Sequence, residues 1–361
     1  MAGGVSAPES IGDLLNLTLR DIERDNVAQT QKYSDYALTD FLMSERKKAS
    51  GTALEFDIRR KESGTARFVS LYEPTPNKVV NVTVKAQERW SHVEDKVHWD
   101  AKEIDMNADE AKIADMLTER YNASVESNFN LIEENLWGIP YNAADLKTVR
   151  GLSYHIRGLG VGVSSPLGGF DGITAIYGDG SLETAWCSLT GGTALDRNDA
   201  ENNRLHNWCA TYSGEFDQTL LRLLRTAMNR TGFKRLPGIK GKMPSASCAL
   251  VMSEDLHEQH EDMVNRRNTE GGKDSMPLQD TTARGCQIIA CAPLNAVAHS
   301  PIFGLRKDCI GARMLSSRWM KRLPAINDRD QVELWTVPIV SSFALRPHNP
   351  RGLFVIHKVR A

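Results

Sequence analysis

The chain lacks a long hydrophobic run, an excess of one charge, and clustered cysteines. No stretch approaches the roughly 18 apolar residues of a membrane span. The N-terminus, MAGGVSAPESIGDLL, has neither the basic nor the apolar segment of a signal peptide. We therefore expect a protein that is made and kept in a cytoplasm, with no membrane partner. The six cysteines include no CxxC pair, which favours small buried side chains over a metal site.

The charge balance argues against tight nucleic-acid binding. Lysine and arginine number 44, and aspartate and glutamate number 46, so the net charge is −2. A protein that grips phosphates usually has a basic excess. The 361 residues contain 41% hydrophobic and 25% charged side chains, which are ordinary values for one large or two interleaved globular domains.

Enzyme motifs are also missing. The sequence contains neither the phosphate-loop pattern GxxxxGK[ST] nor the nucleophile elbow GxSxG. GLGVG at 158–162 is not GxGxxG, because Val163 follows it, and it indicates a loop. We therefore expect no catalytic residues, no cofactor and no bound metal.

One histidine pair keeps an enzymatic alternative open. His257 and His260 lie three residues apart in HEQHE, on a predicted helix where two such residues share a face. Two imidazoles on one face could bind a metal, as in a metal-dependent hydrolase. The spacing differs from HExxH and no third ligand lies nearby, so a polar helix face is the preferred interpretation.

Two long elements dominate the N-terminal half. Residues 52–73 predict a hairpin, in which the alternating strand TALEFDIRR turns at KESGT and returns as ARFVSLY. A two-stranded ribbon is marginal alone in water and needs a surface to lie against. Residues 108–136 predict one long helix with Tyr121, Val125 and Phe129 on its apolar face, ended by Gly138 and Pro140.

The other elements complete an α+β pattern. An amphipathic helix is predicted at 8–25, and a further strand at 78–86. A Gly-rich middle follows, with helices at 217–231 and from Ser253 to about Asn265. Strands are then predicted in CQIIACAPL, VELWTVPIVSSFALRP and GLFVIHKV.

This order of elements resembles the major capsid proteins of tailed bacteriophages, which have the Hong Kong 97-like fold. Four segments also resemble the sequences of phage capsid proteins. They are WGIPYNAADLKTVRGLSYHI (137–156), GGFDGITAIYG (168–178), NRLHNWCATYSGEFDQTLLRLLRTAMNRTGF (203–233) and CAPLNAVAHSPIFGLRKDCIGARMLSSRWMKRL (291–323).

The resemblance implies a domain organisation. It assigns an N-terminal arm, an extended hairpin loop with its following strand, a peripheral domain with spine helix 108–136, an axial domain, and a return to the peripheral domain. The corresponding ranges are 1–50, 51–86, 87–147, 148–295 and 296–361.

The resemblance also implies a structural function. Copies of the chain would form the pentamers and hexamers of an icosahedral head that encloses double-stranded DNA without reading its sequence. Expected partners are other copies, a scaffolding protein, a portal and decoration proteins. The place would be the virion, assembled in the host bacterial cytoplasm. A portal subunit or a decoration protein is the alternative among virion components.

Some members of this family join their subunits by a Lys–Asn isopeptide bond. Lys61 lies at the predicted hairpin tip, and Asn349 lies near the C-terminal end. The resemblance makes these two residues the candidates for such a cross-link. The plainer interpretation is that both are ordinary turn residues.

Overall fold

The computed structural model describes most of the chain from Tyr36 onwards. The predicted helix at 8–25 lies outside the described residues. The described residues are 36–44, 46–59, 63–71, 73, 80–100, 102, 110–142, 144–158, 169–171, 175–176, 182–183, 207–232, 248–270, 282–283, 286–297, 299–327 and 333–359.

One helix is much longer than the others. It has 26 residues and is about 39 Å long at 1.5 Å per residue. Tyr121, Val125, Phe129 and Ile132 are buried on one side of it, as the sequence predicted, whereas Leu131 is 47% exposed. The helices are α1 (Ala37–Met43), α2 (Glu110–Asn135), α3 (Leu152–His155), α4 (Gln218–Arg230) and α5 (Glu254–Glu270), with 3₁₀ turns at Ala292–Ala296 and Pro350–Gly352.

The described residues also form seventeen strands. They are β1 (Lys47–Ala49), β2 (Leu54–Arg59), β3 (Thr83–Glu88), β4 (Ser91–Asp100), β5 (Gly169–Asp171), β6 (Ala175–Ile176), β7 (Leu182–Glu183), β8 (Asn207–Tyr212), β9 (Cys248–Met252), β10 (Thr282–Ala283), β11 (Cys286–Ala290), β12 (Ile302–Arg306), β13 (Ile310–Leu315), β14 (Lys321–Arg322), β15 (Ile326–Asn327), β16 (Leu334–Pro347) and β17 (Phe354–Lys358).

The first large sheet is built around β16. One edge of β16 pairs antiparallel with β4 over ten residues, and the other edge pairs with β13, β14 and β15. Strand β1 adds to β13 in parallel. Val93, Val97 and Trp99 alternate with exposed residues along β4 and point to the face that α2 covers.

The second large sheet has seven strands in the order β10-β11-β9-β12-β17-β8-β5. Its two faces lie in two different apolar clusters. Val251 and Phe303 belong to the cluster that also contains the inner face of the first sheet. Leu250 and Phe354 belong to a second cluster with α4. The two large sheets therefore share one hydrophobic core.

The predicted hairpin at 52–73 is wrong in its second strand. Strand β2 pairs with β3, and Phe56 lies opposite Ala86. Within the described part of 63–71 there is no strand. Both candidate partners contain apolar residues, but β3 offers a small residue across from Phe56 where the ribbon packs on the protein. The ribbon therefore spans 54–88, and the segment at 63–71 lies in its connection.

The final segment of the chain contributes to both sheets. Strands β13 to β16 lie in the first sheet, whereas β12 and β17 lie in the second, beside β9 and β8. The predicted assignment placed all of 296–361 in the peripheral domain with α2. Strands β12 and β17 instead pair within the second sheet. The domain boundaries otherwise stay a prediction.

Among the described helices, none combines the length and the apolar character needed to cross a bilayer.

Candidate assembly interface

The segment at 63–71 presents apolar side chains to solvent. Phe68 is fully exposed, Leu71 is 84% exposed and Val69 is 54% exposed. Exposed apolar residues are ordinary one at a time, but a run of them in the connection between two strands is typical of an interaction surface. We call residues 63–71 the apolar loop. The sequence pattern did not predict this surface, because the same residues were expected to form a paired strand.

The base of the ribbon is fixed to the outer face of the first sheet. Leu54, Phe56 and Ile58 are buried with Trp90 and Ala344 in a separate apolar cluster. The Arg346 guanidinium lies 4.7 Å from the centre of the Phe56 ring. The Trp90 indole N–H donates to Gly51 O at 3.0 Å. The ribbon is therefore packed on the sheet at its base, while residues 63–71 of its connection are exposed to solvent.

A buried ion pair joins the ribbon to the turn after α2. Arg150 Nη1 lies 2.9 Å from Glu88 Oε1, and the Glu88 side chain is 1% exposed. The neighbouring Arg89 donates to the backbone oxygens of Asp145 and Thr148. Removing one partner of such a pair leaves an uncompensated buried charge, which costs about 3–5 kcal/mol.

Asp145 organises the turn that receives Arg89. Its carboxylate accepts from the backbone N–H groups of Tyr141, Lys147 and Thr148. Hydrogen bonds from Thr148, and then from Tyr141 and Lys147, hold the pKa of the Asp145 carboxyl well below its usual range. The turn exposes Tyr141 and Leu146, so it forms a second apolar surface on a rigid support.

Helix α1 is joined to α2 by a buried carboxylate. Glu133 Oε2 accepts from the Thr39 backbone N–H at 2.8 Å and from the Thr39 hydroxyl. Cys291 Sγ lies 4.0 Å from Glu133 Oε1. Burial raises the pKa of Glu133, and the hydrogen bonds from Thr39 oppose that shift. Glu133 therefore ties α1, α2 and the second sheet together.

The histidine pair does not form a metal site. His260 is 7% exposed and lies against Phe216, with the ring centres 5.1 Å apart. His257 Nδ1 instead lies 3.7 Å from Glu261 Oε1. Across the part of the chain that the structure describes, no group of three histidine, cysteine, aspartate or glutamate side chains could hold a metal ion.

Only one of the two cross-link candidates falls in the described structure. Asn349 is exposed and precedes the 3₁₀ turn Pro350–Gly352, where its backbone N–H donates to Cys309 O at 3.2 Å. Lys61 lies outside the described residues. The cross-link therefore stays a prediction.

Sequence comparison finds no relative. No protein-family model matches the chain. No protein of curated function matches it either.

Comparison of structures does find relatives of the fold. The capsid asymmetric unit of Cyanophage A-1(L) is similar with a TM-score of 0.58 and 12% identity, over 90% of this chain and 93% of that one. The capsid of a native GTA particle gives 0.53 and 8%, over 91% of each chain. The capsid of Myoviridae Phage XM1 gives 0.50 and 11%, over 89% and 90%. The α+β chain thus has the Hong Kong 97-like fold of the tailed-phage major capsid proteins.

Proposed function

We propose that this chain is a structural shell subunit, the major capsid protein of a tailed phage. Copies form the pentamers and hexamers of an icosahedral head that encloses double-stranded DNA in the virion. The observation that carries the proposal is a likeness to capsid shell subunits that extends over about nine tenths of both chains. The role is structural, and the chain performs no catalysis.

The apolar loop supports assembly from many copies. A firmly rooted ribbon that ends in exposed Phe68 and Leu71 leaves apolar area in water unless another surface covers it. In a shell, the neighbouring copy provides that surface. Burying two such side chains contributes about 1.5–3 kcal/mol each before the cost of ordering is subtracted.

The charge balance supports a container for DNA. With 44 basic and 46 acidic side chains, the chain as a whole has no excess positive charge with which to hold phosphates. A shell of this kind encloses its genome without gripping it. Assembly takes place in the host bacterial cytoplasm, with a scaffolding protein, a portal and decoration proteins as the further partners.

The alternatives fit the molecule less well. A portal or a decoration protein would not be expected to match shell subunits along almost its whole length. A hydrolase that uses His257 and His260 would need both imidazoles at one accessible site, whereas His260 is buried against Phe216. The domain assignment follows from the shell proposal: the sheet around β16 with α2 is peripheral, and the seven-stranded sheet is axial.

Negative-stain electron microscopy of the expressed chain after sedimentation tests the proposal. We expect closed shells, tubes or sheets of capsomers, alone or with a co-expressed scaffold. Phe68→Ser with Leu71→Ser should leave the subunit folded and lower the yield of assemblies at least tenfold. Ile326→Ser is the matched control, because it removes another exposed apolar side chain, 56% exposed, at β15.

Each outcome separates the possibilities. A wild-type chain that stays a uniform small monomer or dimer under every condition would end the shell proposal. Assemblies whose yield is equally low in the Ile326→Ser control would show that general surface polarity, and not the apolar loop, governs the result.

A further inference from the structure

A group of cationic side chains lies on the outer face of the first sheet. Arg346 of β16 pairs with Gly311 of β13. Arg313 lies two residues further along β13 and therefore points to the same face. Lys47 of β1 pairs with Arg313. His348 follows Arg346 by two residues, at the end of β16. We call Lys47, Arg313, Arg346 and His348 the cationic cluster.

The hydrogen-bond donors of the cluster exceed its acceptors. Arg313 is 7% exposed, and it donates to Ala312 O at 3.0 Å and to His348 Nε2 at 3.2 Å. Both acceptors are uncharged, since an imidazole nitrogen that accepts carries no proton. Arg346 Nε is buried and has no hydrogen-bond partner among the described residues. Buried N–H groups normally have a partner, and a missing one costs about 1–3 kcal/mol.

The charge of the cluster is also only partly balanced. Asp57 faces Arg346 and favours its charged form, although burial and the charge of Arg313 lower the pKa of Arg346. Asp308, the other nearby carboxylate, is already held by two hydrogen bonds from Arg306. Three cations, Lys47, Arg313 and Arg346, thus lie near two carboxylates, of which Asp308 is already hydrogen-bonded to Arg306.

The histidine of the cluster fits the same arrangement. Burial, followed by the charges of Arg346, Arg313 and Lys47, lowers the pKa of His348 to about 4, while Asp308 opposes the shift. His348 is therefore neutral near pH 7. In that state it holds Arg313 in place and adds no positive charge.

We propose that the cationic cluster is an oxyanion site that binds a carboxylate from a neighbouring copy of the chain. The oxyanion would accept from Arg346 and Arg313, whose planar guanidinium groups suit carboxylate or phosphate oxygens. The choice of a neighbouring copy rests on the shell function proposed above.

Two features favour a protein carboxylate over a DNA phosphate. Arg313 is almost fully buried and the Nε atom of Arg346 is buried, whereas contacts with a DNA backbone need exposed cations spread along it. The cluster lies on the face that carries the ribbon, because Arg346 also contacts Phe56. It therefore lies at the base of the ribbon whose apolar loop is proposed to meet a neighbour. A carboxylate supplied on assembly would be bound only in the shell.

The first test uses inorganic phosphate on the unassembled full-length chain. We expect phosphate to raise the melting temperature by about 2–4 °C relative to chloride at equal ionic strength. The matched ionic strength separates site binding from general screening. This measurement does not depend on whether shells form.

Two variants and two controls identify the site. Arg346→Met keeps packing on Phe56 and removes the guanidinium. Gly311→Asp supplies a carboxylate beside the cluster, since a Cβ at Gly311 would lie 3.6 Å from Arg313 Nη1, an ordinary contact. Both should abolish the phosphate-dependent increase. Gly311→Ala and Arg318→Met, which removes an exposed arginine elsewhere, should retain it.

The second test is the yield of shells at fixed protein concentration. We expect Arg346→Met and Gly311→Asp to reduce it at least fivefold, and the two controls to match wild type. An absent phosphate effect in wild type, or an equal one in Arg346→Met, would overturn the site. A different outcome is that Arg346→Met gives empty shells in normal yield that lose stability only when they are filled with DNA. That result would overturn the proposal of a carboxylate ligand and would assign the site to DNA phosphate. Wild-type chain that binds phosphate but never assembles would count against the shell function and not against the oxyanion site.

Discussion

The buried histidine of α3 makes the stability of the chain sensitive to acid. His155 is 1% exposed. Burial, and then the charges of Arg150 and Arg157, lower its pKa to about 3. The unfolded chain takes up a proton near pH 6.5, whereas the folded chain does not do so until about pH 3. The contribution of His155 to stability is therefore complete above pH 6.5 and is lost progressively as the pH falls towards 3.

Urea unfolding at pH 7 and pH 4.5 measures this effect. We expect His155→Gln to reduce the loss of unfolding free energy between the two pH values by about 2–3 kcal/mol. His98→Gln, at an exposed position on β4, controls for the loss of a histidine elsewhere. Equal losses in wild type and His155→Gln would contradict the assignment.

The buried carboxylate of α2 gives a second prediction at this scale. Thr39→Val keeps the backbone hydrogen bond to Glu133 and removes the one from the hydroxyl group. We expect a loss of about 1.5–3 kcal/mol of unfolding free energy, the range for hydrogen bonds to charged groups. Thr39→Ser retains a hydroxyl and should lose less than half as much. The comparison fails if the two variants are equally unstable.

At the scale of elements, a glycine fixes how two strands of the second sheet pack. Gly304 of β12 pairs with Phe354 of β17, and a Cβ at Gly304 would lie 2.0 Å from the Phe354 ring. The ring is fully buried and cannot move aside. We expect Gly304→Ala to cost about 1–3 kcal/mol, the usual penalty for overpacking. Thermal unfolding measures it, with Gly311→Ala as the control; equal melting temperatures would contradict the argument.

The periodicity of apolar residues predicted the elements whose buried face depends only on the spacing of residues within that element. The apolar face of α2, the buried run of β9 and the length of β16 all follow from the spacing of residues along one element. The choice of the strand that pairs with β2 does not follow from such spacing. Residues 66–72 and 83–88 are both candidate strands, and only contact with the first sheet selects the one that places Ala86 opposite Phe56.

The candidate interface was less predictable for the same reason. A need for the ribbon to lie against another surface could be inferred from its length, but the identity of its exposed residues depended on the pairing that sequence left open. The contact between Glu88 and Arg150 joins residues 62 positions apart. No local pattern marks such a pair, and the oxyanion site likewise appears only when β1, β13 and β16 are side by side.

At the scale of the whole molecule, the core that the two sheets share is separate from the cluster that holds the ribbon. The inner face of the first sheet and one face of the second lie in the same apolar cluster, together with α1 and α2. The ribbon packs on the opposite face of the first sheet in a cluster of its own. Its contacts outward can therefore change between free and assembled states without disturbing the core.

The cross-link prediction belongs to this scale, because it joins separate copies. Asn349 is exposed, and Lys61 precedes the apolar loop in sequence, so a loop that reaches a neighbouring copy would carry Lys61 with it. The lysine amine would displace the Asn349 amide nitrogen as ammonia and leave an isopeptide bond. Mature particles boiled in denaturant should then give a ladder of covalent multimers, which Lys61→Arg abolishes while it preserves the charge. Monomer alone from mature wild-type particles would exclude the bond and leave the shell held by the apolar loop and by noncovalent contacts such as the oxyanion site.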